Sequence, residues 1–126
     1  MIRRAMFLLF LLSATAAAHH SMSAAYDIRK VVSGTGTFTG MKWVNPHIHL
    51  FVEIVNEDGI AESWDFEGSA PSQVENTPVN QAVAEASLGK GITVDWSPSR
   101  DGSNTGLIRG IQLESGESMF MCPERC

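Results

Sequence analysis

Cysteine is nearly absent: the 126 residues contain two, Cys122 and Cys126, both within the closing "CPERC". The body of the chain therefore has no disulfide framework and no cysteine nucleophile. It also lacks the closely spaced thiol pairs of compact zinc knuckles. Positive charge is scarce too, with 9 Lys and Arg against 14 Asp and Glu. Without a basic patch to neutralise phosphates, nucleic acid is not expected as a partner. No apolar run reaches the roughly 20 residues that cross a bilayer. "GTGTFTG" lacks the Lys-Ser or Lys-Thr ending of a phosphate loop, and no Gly-x-Ser-x-Gly elbow occurs. Glu53, Asp65 and Glu67 read as a solvated face rather than as a glycosidase pair across a cleft. These absences leave no catalytic residue to name.

The longest apolar stretch stands at the front. Arg3 and Arg4 precede "AMFLLFLLSA", and Ala16 and Ala18 fit an A-x-A signal with cleavage after Ala18. Residues 1–18 are therefore expected to be a cleavable signal peptide, with the mature chain in the periplasm and no membrane span left in it. Taking Arg3 and Arg4 from the 9 basic residues leaves 7 against 14 acidic ones, about −7 with neutral histidines. In an oxidising compartment Cys122 and Cys126 are expected to form a disulfide. The alternative is a soft-metal grouping with Met119 and Met121 in "MFMCPERC".

Past the leader, residues 19–30 read as a polar N-terminal extension, 31–114 as one β-barrel-like domain and 115–126 as a tail. "VVSGTGTFTGMKWV" is β-branched and glycine-punctuated, and Asn45-Pro46 makes a corner. "HIHLFVEIV" alternates cleanly. Ile48, Leu50, Val52 and Ile54 share the core face, while His47, His49, Phe51, Glu53 and Val55 share the other. "NEDG" turns the chain into Ile60–Glu67, which completes a hairpin. Thr77 then reads as a helix cap, with Pro78 in the first turn and Gly89 as the stop. "ITVDWSP" and "LIRGIQLESG" are the last strands, separated by the polar turn "SRDGSNTG". Three strands, a helix and two strands fit a mainly β fold. The specific expectation is a small five-stranded, partly open barrel of the oligonucleotide/oligosaccharide-binding (OB-like) type, with one helix between strands 3 and 4. Trp43, Trp64 and Trp96 read as core or rim packing.

"AHHSMSAAYD", "GTGTFTGMKWVNPHIHLFVEI", "SWDFEG" and "RDGS" together resemble DUF6152, a family of small exported bacterial proteins. The family-like positions are His19, His20, Ser21, Tyr26, Asp27, Trp43, Asn45, Pro46, His47, Trp64, Glu67, Gly68, Arg100, Asp101 and Gly102. The resemblance implies a periplasmic location and a small β-rich domain, and brings no settled activity. Met22, where an aromatic residue is usual, and the "MFMCPERC" tail depart from the pattern.

The four histidines fall in two groups, His19-His20 and His47-x-His49. Cleavage after Ala18 would free the amine of His19. Amine and imidazole Nδ1 could then chelate a metal, with His47 or His49 as a third nitrogen in a histidine brace. Such a nitrogen set suits copper. His20 as second residue, or histidine as third after a cut one residue earlier, gives competing amino-terminal copper chelates. Zinc is the nearest rival, with all four histidines as ligands or with Asp27 or Glu67 replacing one; nickel suits the same nitrogens. The metal-free reading has Asn45 and His47 hydrogen-bonding the corner at Pro46. Three functional classes follow. The first is a periplasmic domain that binds or traffics copper through its mature N-terminal histidine. The second is a metal-free structural or protein-interaction module with a periplasmic protein partner. The third, an oxidative copper enzyme, needs a substrate surface and an electron supply that the sequence does not display.

Overall fold

The computed structural model describes residues 22–121. Strands β1 (Val32–Lys42), β2 (His49–Val55) and β3 (Ala61–Glu67) come first. They are followed by β4 (Gly91–Pro98), β5 (Thr105–Leu113) and a short β6 (Ser118–Phe120). A four-residue helix α1 (Met22–Ala25) precedes the barrel, and α2 (Pro71–Val74) and α3 (Gln81–Ala86) lie between β3 and β4.

β1 is long because it serves two partners. Its first half, Val32 to Thr37, pairs antiparallel with β4, and its second half, Thr37 to Lys42, pairs with β2. Gly36 sits at the changeover, where an added Cβ would collide with the backbone oxygen of Glu53. Only glycine lets the two backbones come this close. β2 and β3 form the expected hairpin, in register from Val55↔Ala61 to His49↔Glu67. β3 then meets β5 in a parallel seam, Asp65↔Thr105 to Glu67↔Leu107, which closes the ring β1-β2-β3-β5-β4. That ring, with its helical insert between β3 and β4, is an OB-like barrel.

Period-two alternation fills the interior. Leu50 and Val52 of β2 and Phe66 of β3 are buried, as are Ile92 and Val94 of β4 and Ile108 of β5. Each such side chain contributes about 1.5–3 kcal/mol by leaving water. Trp64, Phe66 and Trp96 form one aromatic cluster with ring centroids 5.1 to 5.6 Å apart, so Trp96 is a core residue and Trp64 packs, partly buried, against the core.

Two local expectations are corrected. The helix does not start at Thr77. Asn80 caps it, its Oδ1 accepting from Val83 N at 3.1 Å, and α3 runs only from Gln81 to Ala86. Thr77 instead closes α2: its hydroxyl donates to Val74 O at 2.8 Å and lies 3.2 Å from Met119 Sδ. Gly89 does stop the segment, at φ +80°, and its N–H donates to Phe38 O at 2.7 Å. The second correction is at the tail. Ser118–Phe120 adds a strand to β5 at Gly110–Gln112, and Met119 and Met121 are buried against the core. The thioether of Met121 accepts from Ser69 N at 3.4 Å. The two methionines thus pack inside. Cys122 and Cys126, and the disulfide expected of them, lie outside the described residues.

Candidate functional site

The outer face of the hairpin carries the polar chemistry. With the core-facing residues of β2 and β3 turned inward, His49, Asp65 and Glu67 must point out. His47 joins them from the β1–β2 loop, two residues after a cis Asn45–Pro46 bond. Its Nδ1 lies 2.6 Å from Glu67 Oε1, and His49 Nδ1 lies 2.7 Å from Asp65 Oδ1. Each histidine thus has its own carboxylate, and both pairs are about a third exposed.

The other oxygen of Glu67 is taken as well. Tyr26 Oη donates to Glu67 Oε2 at 2.6 Å. Tyr26 is brought there by the segment after α1, which lies along the β4–β5 loop. Asp27 N donates to Pro98 O, Arg100 N donates to Ala25 O, and Tyr26 bridges to Ser99. The Arg100 guanidinium holds Ser23 O at 2.9 Å, and Arg109 Nη1 reaches Ile28 O at 3.1 Å. Tyr26 and Leu107 are buried but lie outside the interior cluster, so the segment covers part of the outer barrel wall.

Two titrations are displaced by these surroundings. The Tyr26 phenol is pushed well above its ordinary value, first by burial, then by its hydrogen bond to Glu67, and by the negative charges of Glu67, Asp65 and Asp101. Asp101, in the β4–β5 loop, is pulled down to about 2 by hydrogen bonds from Ser103 and Ser99. Its Oδ1 accepts from Ser99 Oγ at 2.7 Å and Ser103 N at 2.9 Å, so the loop is folded around its own carboxylate.

The candidate ligands are therefore sorted by the fold. His47, His49 and Glu67 come together. Asp27 does not join them: its Oδ1 faces Arg100 Nη2 at 3.7 Å and Arg29 Nε at 3.8 Å. His19 and His20 lie outside the described residues. Among the described residues no group of three or more His, Cys, Asp or Glu side chains is arranged to hold a metal ion. Asp65 and Tyr26 are the members that sequence reading did not place in the group: Asp65 reads as part of a solvated face, and Tyr26 only as a family-like position in the N-terminal extension. Counting back along the hairpin from the Asp58-Gly59 turn places Glu67 opposite His49 and Asp65 one pleat away. No comparable local signal points to Tyr26.

This end of the barrel is the usual ligand face of OB folds, the outer surface of strands 2 and 3 flanked by the β1–β2 and β4–β5 loops. Several positions that carry the family resemblance meet there: Tyr26, Asp27, His47, Glu67, Arg100 and Asp101. No curated protein and no solved structure matches the chain. A family model does match, over residues 8–109, and it spans strands β1 to β4 together with most of β5. The chain belongs to DUF6152, a family of unknown function.

Proposed function

We propose that the protein is a periplasmic binding module whose ligand face is the outer surface of β2 and β3 between the two loops. One observation carries the reading. Residues 26, 47–49, 65–67 and 99–101, distant in sequence, are brought to one end of the barrel. There Glu67 bonds both Tyr26 and His47 while His49 bonds Asp65. Polar side chains satisfied at such cost in conformational freedom define a surface of fixed shape. The metal-free form of the reading, a protein-interaction module, is supported by the lack of a three-ligand group among the described residues.

A copper form has one specific point in its favour. A metal-ligating histidine characteristically gives its second ring nitrogen to a carboxylate, and both His47 and His49 have a carboxylate at Nδ1. Copper would then draw its remaining nitrogens from the amine and imidazole of a mature His19. Native mass spectrometry of the protein exported by its own host, isolated without added metal or chelator, separates the two forms. One retained copper on a chain that starts at His19 establishes the copper form, and His47→Ala should then lose the ion. A metal-free mass, or a start elsewhere, removes the brace and leaves the interaction module.

A further inference from the structure

We propose that Glu67 is the positioning residue of this face: it holds His47 as the Nδ1–H tautomer, so that Nε2 is offered as an electron-pair donor. Through Tyr26 it ties that state to the seating of residues 22–30. The proposal rests on the binding reading above and names the class of ligand that the face selects.

The argument is one of donors and acceptors. A phenol hydroxyl that keeps its proton can donate to one oxygen of Glu67, and Tyr26 does so at 2.6 Å. An ionised carboxylate has no proton to give, so the 2.6 Å contact at its other oxygen requires the proton to sit on His47 Nδ1. A neutral imidazole with its proton on Nδ1 carries its lone pair on Nε2. Asp65 sets His49 the same way at 2.7 Å. The face is thereby matched to electron-pair acceptors: a divalent transition-metal ion, or an N–H or O–H donor from a partner. Tyr26 adds the coupling, because the carboxylate that orients His47 also anchors the N-terminal segment, whose Asp27 N and Ala25 O are bonded to Pro98 and Arg100 at the mouth of the β4–β5 loop.

The test is long-range 1H–15N correlation spectroscopy of the imidazoles in the full mature chain, first without metal. His47 and His49 are expected as Nδ1–H tautomers. Glu67→Gln should move His47 toward Nε2–H and leave His49 unchanged. Tyr26→Phe, which keeps the ring, should preserve the His47 tautomer but weaken exchange protection of amides 22–30 by about tenfold, the loss of one charge-assisted hydrogen bond. A wild-type His47 found as Nε2–H, or one indifferent to Glu67→Gln, overturns the proposal. Zn2+ is then added as probe. A shift at His47 Nε2 that needs about 10–100-fold more Zn2+ in Glu67→Gln identifies a metal ion as the ligand. Indifference to Zn2+ with the tautomers intact counts against Zn2+ as the ligand at Nε2 and leaves the role of Glu67 standing.

Discussion

Tyr26 is the single tyrosine of the chain, which makes its environment directly measurable. The phenol is buried against Glu67, with Asp65 and Asp101 close enough to oppose a second negative charge. Its folded-state value is raised, so the bond to Glu67 contributes its full stability below the free phenol's value of about 10. That contribution is lost as pH rises above it. Ultraviolet titration should show no phenolate through pH 10 in the native protein and an ordinary midpoint in urea. The same native and denatured midpoint would mean that Tyr26 does not sit on Glu67. Asp101 works in the opposite direction. Its lowered value means that the fold of the β4–β5 loop gains from its charge above about pH 4. The gain disappears as pH falls through about 2.

Among the elements, β6 changes the reading most. It is three residues long, yet Met119 and Met121 are 5% and 3% exposed, and Met121 N donates to Arg109 O at 2.8 Å. Deleting residues 115–126 should therefore cost at least the ~2–5 kcal/mol of one buried methionine cut to a small residue. Urea denaturation would detect this as a lower midpoint, whereas a detachable tail would leave the midpoint where it was. The strand escaped sequence reading because "SMF" is too short to show alternation and stands beside turn residues. The start of helix α3 is ambiguous in sequence for a related reason: Thr77-Pro78 and Asn80 are both good starts, but the Thr77 hydroxyl is bonded to Val74 O while Asn80 Oδ1 accepts from Val83 N.

In the molecule as a whole, the weakest closure is the β3–β5 seam. It is parallel, and it extends only from Asp65 to Glu67, whereas β2–β3 pairs along its full length. Short seams with exposed backbone open first. The seam is also where Tyr26, Glu67 and the β4–β5 loop meet, so the segment 22–30 braces it from outside. Hydrogen exchange should find the amides of Asp65 and Gly106 less protected than those of Leu50 and Val52, with the gap widening in Tyr26→Phe. Equal protection across the barrel would mean that the ring opens as one unit and the segment braces nothing.

Periodicity and turn chemistry suffice for much of this protein. "HIHLFVEIV" says which residues turn inward, Asp58-Gly59 says where the hairpin folds, and the order of strands and helix points to an OB-like ring. Those features depend on neighbours within a few residues. The carboxylate pairs of His47 and His49 are half legible in the same way, since hairpin register follows from the turn. The rest required the closed barrel. Parallel pairing of β3 with β5, the docking of Tyr26 on a carboxylate 41 positions away and the capture of β6 are all contacts between distant segments. Their partners are chosen by how the whole sheet curves and what it leaves uncovered, and no local pattern carries that choice.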